Sequence, residues 1–176
     1  MSDLQPLILN CKSPAETERV ARRFALALTG GEFVSLEGDL GVGKTFFARA
    51  VARALGIKEP ITSPTFVLQK IYQSPGGRVG SLIHYDLYRL QSYGELLDLG
   101  FAEHPTDSAI LAEWGNKFMA EYDRPVIRVR LEPEAEESRL ITFSFPPGKG
   151  ETLSRGFKDA LKARESPAQE ATNGIY

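Results

Sequence analysis

Apolar positions set two periods along the first third of the chain. PLILNC, at 6–11, is a short apolar run that predicts a strand. In KSPAETERVARRFALALTGG the period changes. Val20, Phe24 and Leu28 recur every four residues, as on one face of a helix. Ser13 is placed to cap that helix, Pro14 suits its first position, and Glu16 completes a capping box. Gly30-Gly31 stop it. FVSLEG, at 33–38, predicts a short buried strand. After a glycine-rich stretch, Phe47, Ala50, Val51, Ala54 and Leu55 form the apolar stripe of a second helix, which Gly56 ends.

The next segment breaks this alternation. TSPTFVLQKIY and SLIHYDLYRL both read as strands, with the turn residues SPGGRVG between them, so an antiparallel hairpin with a loose loop is predicted. SYGELLDLGFAEH predicts a short helix and AILAEW a buried strand. VIRVRLE and RLITFSF alternate, with Ile127, Val129, Leu131, Ile141, Phe143 and Phe145 inward and the acidic EPEAEES as the connection. LSRGFKDALKA reads as a last helix. ARESPAQEATNGIY has the polar, small-residue composition of a frayed or disordered tail. The sum is an α/β, three-layer domain with a mixed parallel and antiparallel sheet, expected over residues 1–150. A C-terminal helix and tail are expected over 151–176.

Composition narrows the setting. At 42% hydrophobic and 25% charged residues the chain has an ordinary globular make-up. Its one cysteine, Cys11, forms no internal disulfide, which suits a reducing compartment. No apolar run approaches the roughly 20 residues that span a bilayer. MSDLQPLIL lacks the basic lead and long apolar core of a signal peptide, so a cytoplasmic protein is expected. A net charge of −2 with no Lys/Arg stripe argues against nucleic acid as a tightly held direct ligand.

The candidate chemistry begins at Gly38-Asp39-Leu40-Gly41-Val42-Gly43-Lys44-Thr45, which matches G-x-x-x-x-G-K-[ST]. Glycines let the backbone turn its N–H groups toward phosphate oxygens, and the following helix offers them its positive end. Lys44 is placed for the β- and γ-phosphates and Thr45 for Mg²⁺. Asp39 reads as a conformational residue of the loop. Nucleotide hydrolysis also needs carboxylates at strand ends, to hold metal or to position water. Asp86 lies inside an apolar alternating run and Glu113 follows Ala109-Ile110-Leu111-Ala112. From position alone, Asp86 either serves the metal site or caps a turn. Glu113 either serves it or sits on a rim. In Thr62-Ser63-Pro64-Thr65-Phe66, Pro64 keeps Ser63 extended. The Ser63 and Thr65 hydroxyls either face a γ-phosphate, as switch segments do, or simply begin a strand.

His84 and His104 have no Cys/His neighbours at metal spacing, which argues against zinc. His84 shares a strand face with Asp86 and either orients it or packs. Asn116-Lys117-Phe118-Met119 fails the N-K-x-D guanine motif, and no D-x-x-G follows Asp86, so a GTPase fits poorly. A small-molecule kinase and a nucleotide-controlled binding module stay open. No arginine-rich lid favours the kinase.

GDLGVGKTFFARA, SPTFVL, HYDLYRL and LAEW, in this order and spacing, resemble the bacterial TsaE (YjeE) family over roughly the first 145 residues. The resemblance implies an ATPase binding ATP or ADP and Mg²⁺. It would serve threonylcarbamoyladenosine formation in tRNA by resetting the TsaB–TsaD complex between turnovers. It implies that tRNA is met only through those partners, with no DNA or membrane ligand. Carried over to this sequence, Lys44 becomes the phosphate lysine, and Thr45 and Glu113 become metal-binding. Asp86 becomes the acid needed for hydrolysis through metal or water, and Ser63, Pro64 and Thr65 form the switch-like segment. Trp114, the single tryptophan, falls beside the nucleotide. The adenine side is implied near Ser13 to Thr17. Val42 stands where alanine is common in the family, and Phe46 where a second threonine is common.

Overall fold

The computed structural model describes residues 5–64, 66–75 and 77–163. In chain order the elements are β1 (Leu7–Cys11), α1 (Pro14–Ala27), β2 (Phe33–Glu37), α2 (Lys44–Ala54), β3 (Gln69–Gln73) and β4 (Ser81–Asp86). Then follow α3 (Tyr93–Asp98), β5 (Ser108–Glu113), a 3-10 turn (Gly115–Phe118), β6 (Val126–Pro133), β7 (Arg139–Ser144) and α4 (Lys149–Lys162). Among the described residues the strands form one sheet in the order β1-β7-β6-β2-β5-β4-β3. Strands β6, β2, β5 and β4 run parallel. Strands β7 and β1 on one side, and β3 on the other, join antiparallel. The mixed sheet and both hairpins are as the alternation predicts.

Helices cover both faces. On one, α1, α2 and α4 bury a cluster in which Phe24 lies 5.3 Å from Phe143 and Phe143 lies 4.7 Å from Phe157, ring centre to ring centre. On the other, Phe33, Tyr85, Phe101 and Leu96 pack under α3 and the loops around it. Strand β2 is buried along its whole length, which explains its unbroken FVSLE run. The α1 start keeps its cap, with Ser13 Oγ accepting from Glu16 N–H at 3.2 Å. Glu16 reaches back to the N–H of Lys12, at 2.9 Å, rather than to that of Ser13.

Four boundaries differ from the pattern. The expected strand 62–72 forms only from Gln69. Pro64 donates no ladder bond, its carbonyl instead accepts from Val67 and Leu68 N–H, and Leu68 takes a left-handed φ of 64°. Strand β4 ends at Asp86, where a turn satisfies the backbone: Asp86 Oδ1 accepts from Tyr88 N–H at 3.1 Å. Helix α3 ends at Asp98, well short of His104. Helix α4 starts at Lys149, before its apolar periodicity begins, and Leu153 and Phe157 join the first cluster. The tail beyond 163 lies outside the described residues, as does Thr65. Among the described residues, no helix is long and apolar enough to cross a membrane.

Candidate nucleotide site

The parallel strands β2, β4 and β5 end on one edge, and the chemistry collects there, as it does in open α/β sheets. The loop after β2 has little freedom. Gly38 has φ 132°, and a Cβ there would collide with the Leu131 carbonyl of β6. Gly43, at φ 115°, precedes α2 with no side-chain cap, so the first N–H groups of that helix remain for an anion. Arg139, at the start of β7, donates from Nε to the Val42 carbonyl at 2.8 Å and ties the loop to a neighbouring strand.

Lys44 Nζ donates to the carbonyls of Gly38 and Asp39, each at 2.8 Å, and lies 4.0 Å from the centre of the Trp114 ring. Burial pulls the Lys44 ammonium below its ordinary value of 10.5, while the carboxylates of Glu113, Asp86 and Asp39 work the other way. Trp114 itself has a left-handed φ of 61°, which turns the chain sharply after β5 and lays the ring between Lys44 and Tyr88.

Asp86 and Glu113 are register partners at the ends of β4 and β5, and each is 4% exposed. Two acids this buried need donors or a cation. Thr45, in the first turn of α2, donates from Oγ1 to Glu113 Oε1 at 2.7 Å. Ser63 Oγ donates to Asp86 Oδ2 at 2.9 Å. His84 Nε2 stands 2.9 Å from Glu113 Oε1. His84 is packed at full burial, and the sheet register carries its ring diagonally to Glu113 of the neighbouring strand.

A cavity of about 430 Å³ opens among these groups. Of the residues expected from sequence, Leu40, Gly41, Gly43, Lys44, Thr45, Ser63, Asp86, Glu113 and Trp114 line it. Gly38, Asp39 and Val42 support the loop from behind. Val42 is 5% exposed and the Asp39 carbonyl holds Lys44. Tyr88 and Arg89 also line the cavity, and sequence reading passed over both. Only the turn after Asp86 brings them there, and no local pattern signals it. Ser13 to Thr17 do not line it, although Cys11 pairs with Arg139 and so α1 starts at the same end of the sheet. A larger cavity, about 780 Å³, lies at the opposite strand ends near Phe33 and Ile127. It has no phosphate-type loop and no paired carboxylates.

The donor set suits Mg²⁺. Thr45, Glu113 and Asp86 present hard oxygens, and Mg²⁺ is commonly held by one or two carboxylates with substrate phosphates completing the shell. Among the described residues no group of three or more His, Cys, Asp or Glu makes a metal cage by itself.

A buried strand, a G-x-x-x-x-G-K-T loop and an uncapped helix start, facing strand-end acids, define an α/β protein of the P-loop class. The solved structure of YdiB from Bacillus subtilis has this fold, with a TM-score of 0.74 and 25% identity over 92% of this chain and 100% of that one. The family profile described as "Threonylcarbamoyl adenosine biosynthesis protein TsaE" matches residues 11–141, and the chain belongs to the TsaE family. It is 40% identical to the tRNA threonylcarbamoyladenosine biosynthesis protein TsaE of Rickettsia felis, over 78% of this chain and 78% of that one. With the TsaE of Bacillus subtilis it shares 32% identity over 80% of this chain and 87% of that one.

Proposed function

We propose that this protein is a Mg²⁺-dependent ATPase of tRNA threonylcarbamoyladenosine formation, acting on the TsaB–TsaD complex and resetting it between turnovers by hydrolysing ATP. The observation that carries this reading is the Thr45–Glu113 contact, 2.7 Å long, beside the phosphate-type loop and one strand from Asp86. The α2 N–H groups and Lys44 grip the phosphates. Thr45 and Glu113 would hold the cation, which would supply positive charge against the phosphoryl group. Asp86 positions water or completes the metal shell. Ser63, Pro64 and Thr65 form the segment that responds to the γ-phosphate, and Trp114 borders the nucleotide. The adenine lies toward the start of α1. The reaction takes place in the cytoplasm, where tRNA is met through the protein partners. A net charge of −2 supports that division of labour.

The test is ADP release from Mg²⁺–ATP with and without the purified TsaB–TsaD pair. Slow hydrolysis alone and at least tenfold stimulation by the pair are expected. ADP formation that needs an acceptor metabolite and ignores the pair would instead make the protein a kinase.

A further inference from the structure

Glu113 Oε1 is approached by two groups from different elements, Thr45 Oγ1 from α2 and His84 Nε2 from β4. Both of these contacts fall on Oε1. His84 is fully buried at 0% exposure. It pairs in register with Leu111, two residues before Glu113. Its ring therefore lies one rung deeper in the sheet than the carboxylate it touches. A carboxylate has no hydrogen to give, so Nε2 carries the hydrogen and donates. Nδ1 has no hydrogen-bond partner among the described residues. The ring's one polar contact is thus Glu113. Burying an imidazole with half its polarity unpaired is unfavourable. Packing alone would be served better by an apolar side chain.

We propose that His84 is a positioning residue for Glu113. Its Nε2–H fixes Oε1, so that Oε2 would be the oxygen offered to a cation, and the hold would remain if the Thr45 hydroxyl turned to that cation. This rests on the reading of Glu113 as a metal-facing acid. Partners behind a metal ligand orient it, and losing one typically weakens metal affinity by about 10–100-fold.

The full chain with ¹⁵N-labelled histidine tests the contact directly. The His84 spectrum should show hydrogen on Nε2, and that signal should move when Mg²⁺ is added to the ADP complex. Hydrogen on Nδ1 alone, or no response to Mg²⁺, overturns the proposal. Mn²⁺ binding to the ADP complex, followed by paramagnetic resonance, tests the consequence. His84→Phe should weaken Mn²⁺ about tenfold or more, with ADP affinity in EDTA unchanged. His84→Gln, which keeps an N–H at similar reach, should recover most of the loss. A folded His84→Phe protein with wild-type Mn²⁺ affinity sinks this role alone. Wild type that binds ADP but no Mn²⁺ sinks the metal reading of Glu113 and this role with it. If His84→Phe does not fold, the wild-type spectrum and His84→Gln decide. A Gln variant that loses Mn²⁺ binding tenfold while staying folded then counts against the donor role.

Discussion

The two walls of the cavity at the strand ends are built differently. The glycine-loop wall is tied at its own carbonyls: Gly38 lies under the Leu131 carbonyl, the Arg139 side chain holds the Val42 carbonyl, and the Lys44 side chain holds those of Gly38 and Asp39. Across the cavity stands Ser63, in a segment where side-chain bonds reach Ile61, Thr62 and Ser63, and backbone bonds join Pro64 to Val67 and Leu68, and Leu68 to Asp86. Arg49 reaches the Ile61 carbonyl at 3.2 Å, Lys70 reaches Thr62 Oγ1 at 2.6 Å, and Ser63 reaches Asp86. At its tip Phe66 is 84% exposed, with the Arg89 guanidinium 4.6 Å from its ring centre. Glycine geometry at Gly38 leaves the first wall one shape. Under the proposed function, the side-chain bonds at Thr62 and Ser63 are the ones an arriving phosphate would exchange. The acids between them belong to both.

The largest effect should come from the shared acids. Glu113→Ala should lower kcat by about 10²–10³-fold, the scale seen when one electrostatic stabiliser is removed, with ADP affinity in EDTA within twofold. Single-turnover ADP formation and calorimetry measure the two. A kcat within about threefold of wild type would remove Glu113 from the chemistry.

On the fixed wall, Gly38→Ala forces a side chain into a left-handed φ and against Leu131. The backbone strain alone is worth about 1–3 kcal/mol, and for a chain of this size each kcal/mol lowers Tm by roughly 2–4 °C. Thermal melts should show that drop, and nucleotide affinity should fall with it. Unchanged melting and affinity would mean that this wall is not fixed.

On the responsive wall, Ser63→Ala should keep Tm within about 2 °C and ADP affinity within about twofold, the range of a peripheral substitution. Its kcat should fall about tenfold, the low end for a positioned hydrogen bond. Loss of ADP affinity instead would make Ser63 part of the grip.

The smallest effect is a pH limb. Burial disfavours the Lys44 cation, so in the free protein its charge is lost at lower pH than the usual 10.5. Nucleotide affinity should therefore decline as pH rises into the alkaline range, beginning earlier than an exposed lysine would allow. Lys44→Arg, whose guanidinium stays charged, should bind more weakly but lose that limb. An identical limb in the variant would assign it to another group.

The fixed wall was legible in the sequence because its code is local: glycines at set spacing, then Lys-Thr, between an apolar run and a helical stripe. The acids were legible as carboxylates embedded in apolar runs. The responsive wall was legible only in part: Ser63 and Thr65 were candidates to face a γ-phosphate, with a plain strand start as the alternative. TSPTFVLQKIY has strand composition throughout, yet Ser63 is committed to Asp86, 23 residues away, and Pro64 turns the chain. The partner of His84 depends on the pairing of β4 with β5, which no single-strand pattern contains. Trp114 was placed beside Glu113 by adjacency, but the left-handed turn falls on the tryptophan itself, one residue before Gly115, where no glycine marks it. Arg139 reads only as the first residue of the strand RLITFSF until the sheet brings it to Val42.

The Pro64 turn also bears on how the molecule keeps to itself. Strand β3 is an edge, and an edge offers unpaired backbone groups to any passing strand. Had 62–72 formed one extended strand, that edge would have been twice as long and would have carried Phe66 and Val67. The turn leaves five residues, with Lys70 on the rim and Pro75 shortly after the strand. The bend that gives the cavity its adaptable wall thus also protects the sheet from adding a foreign strand.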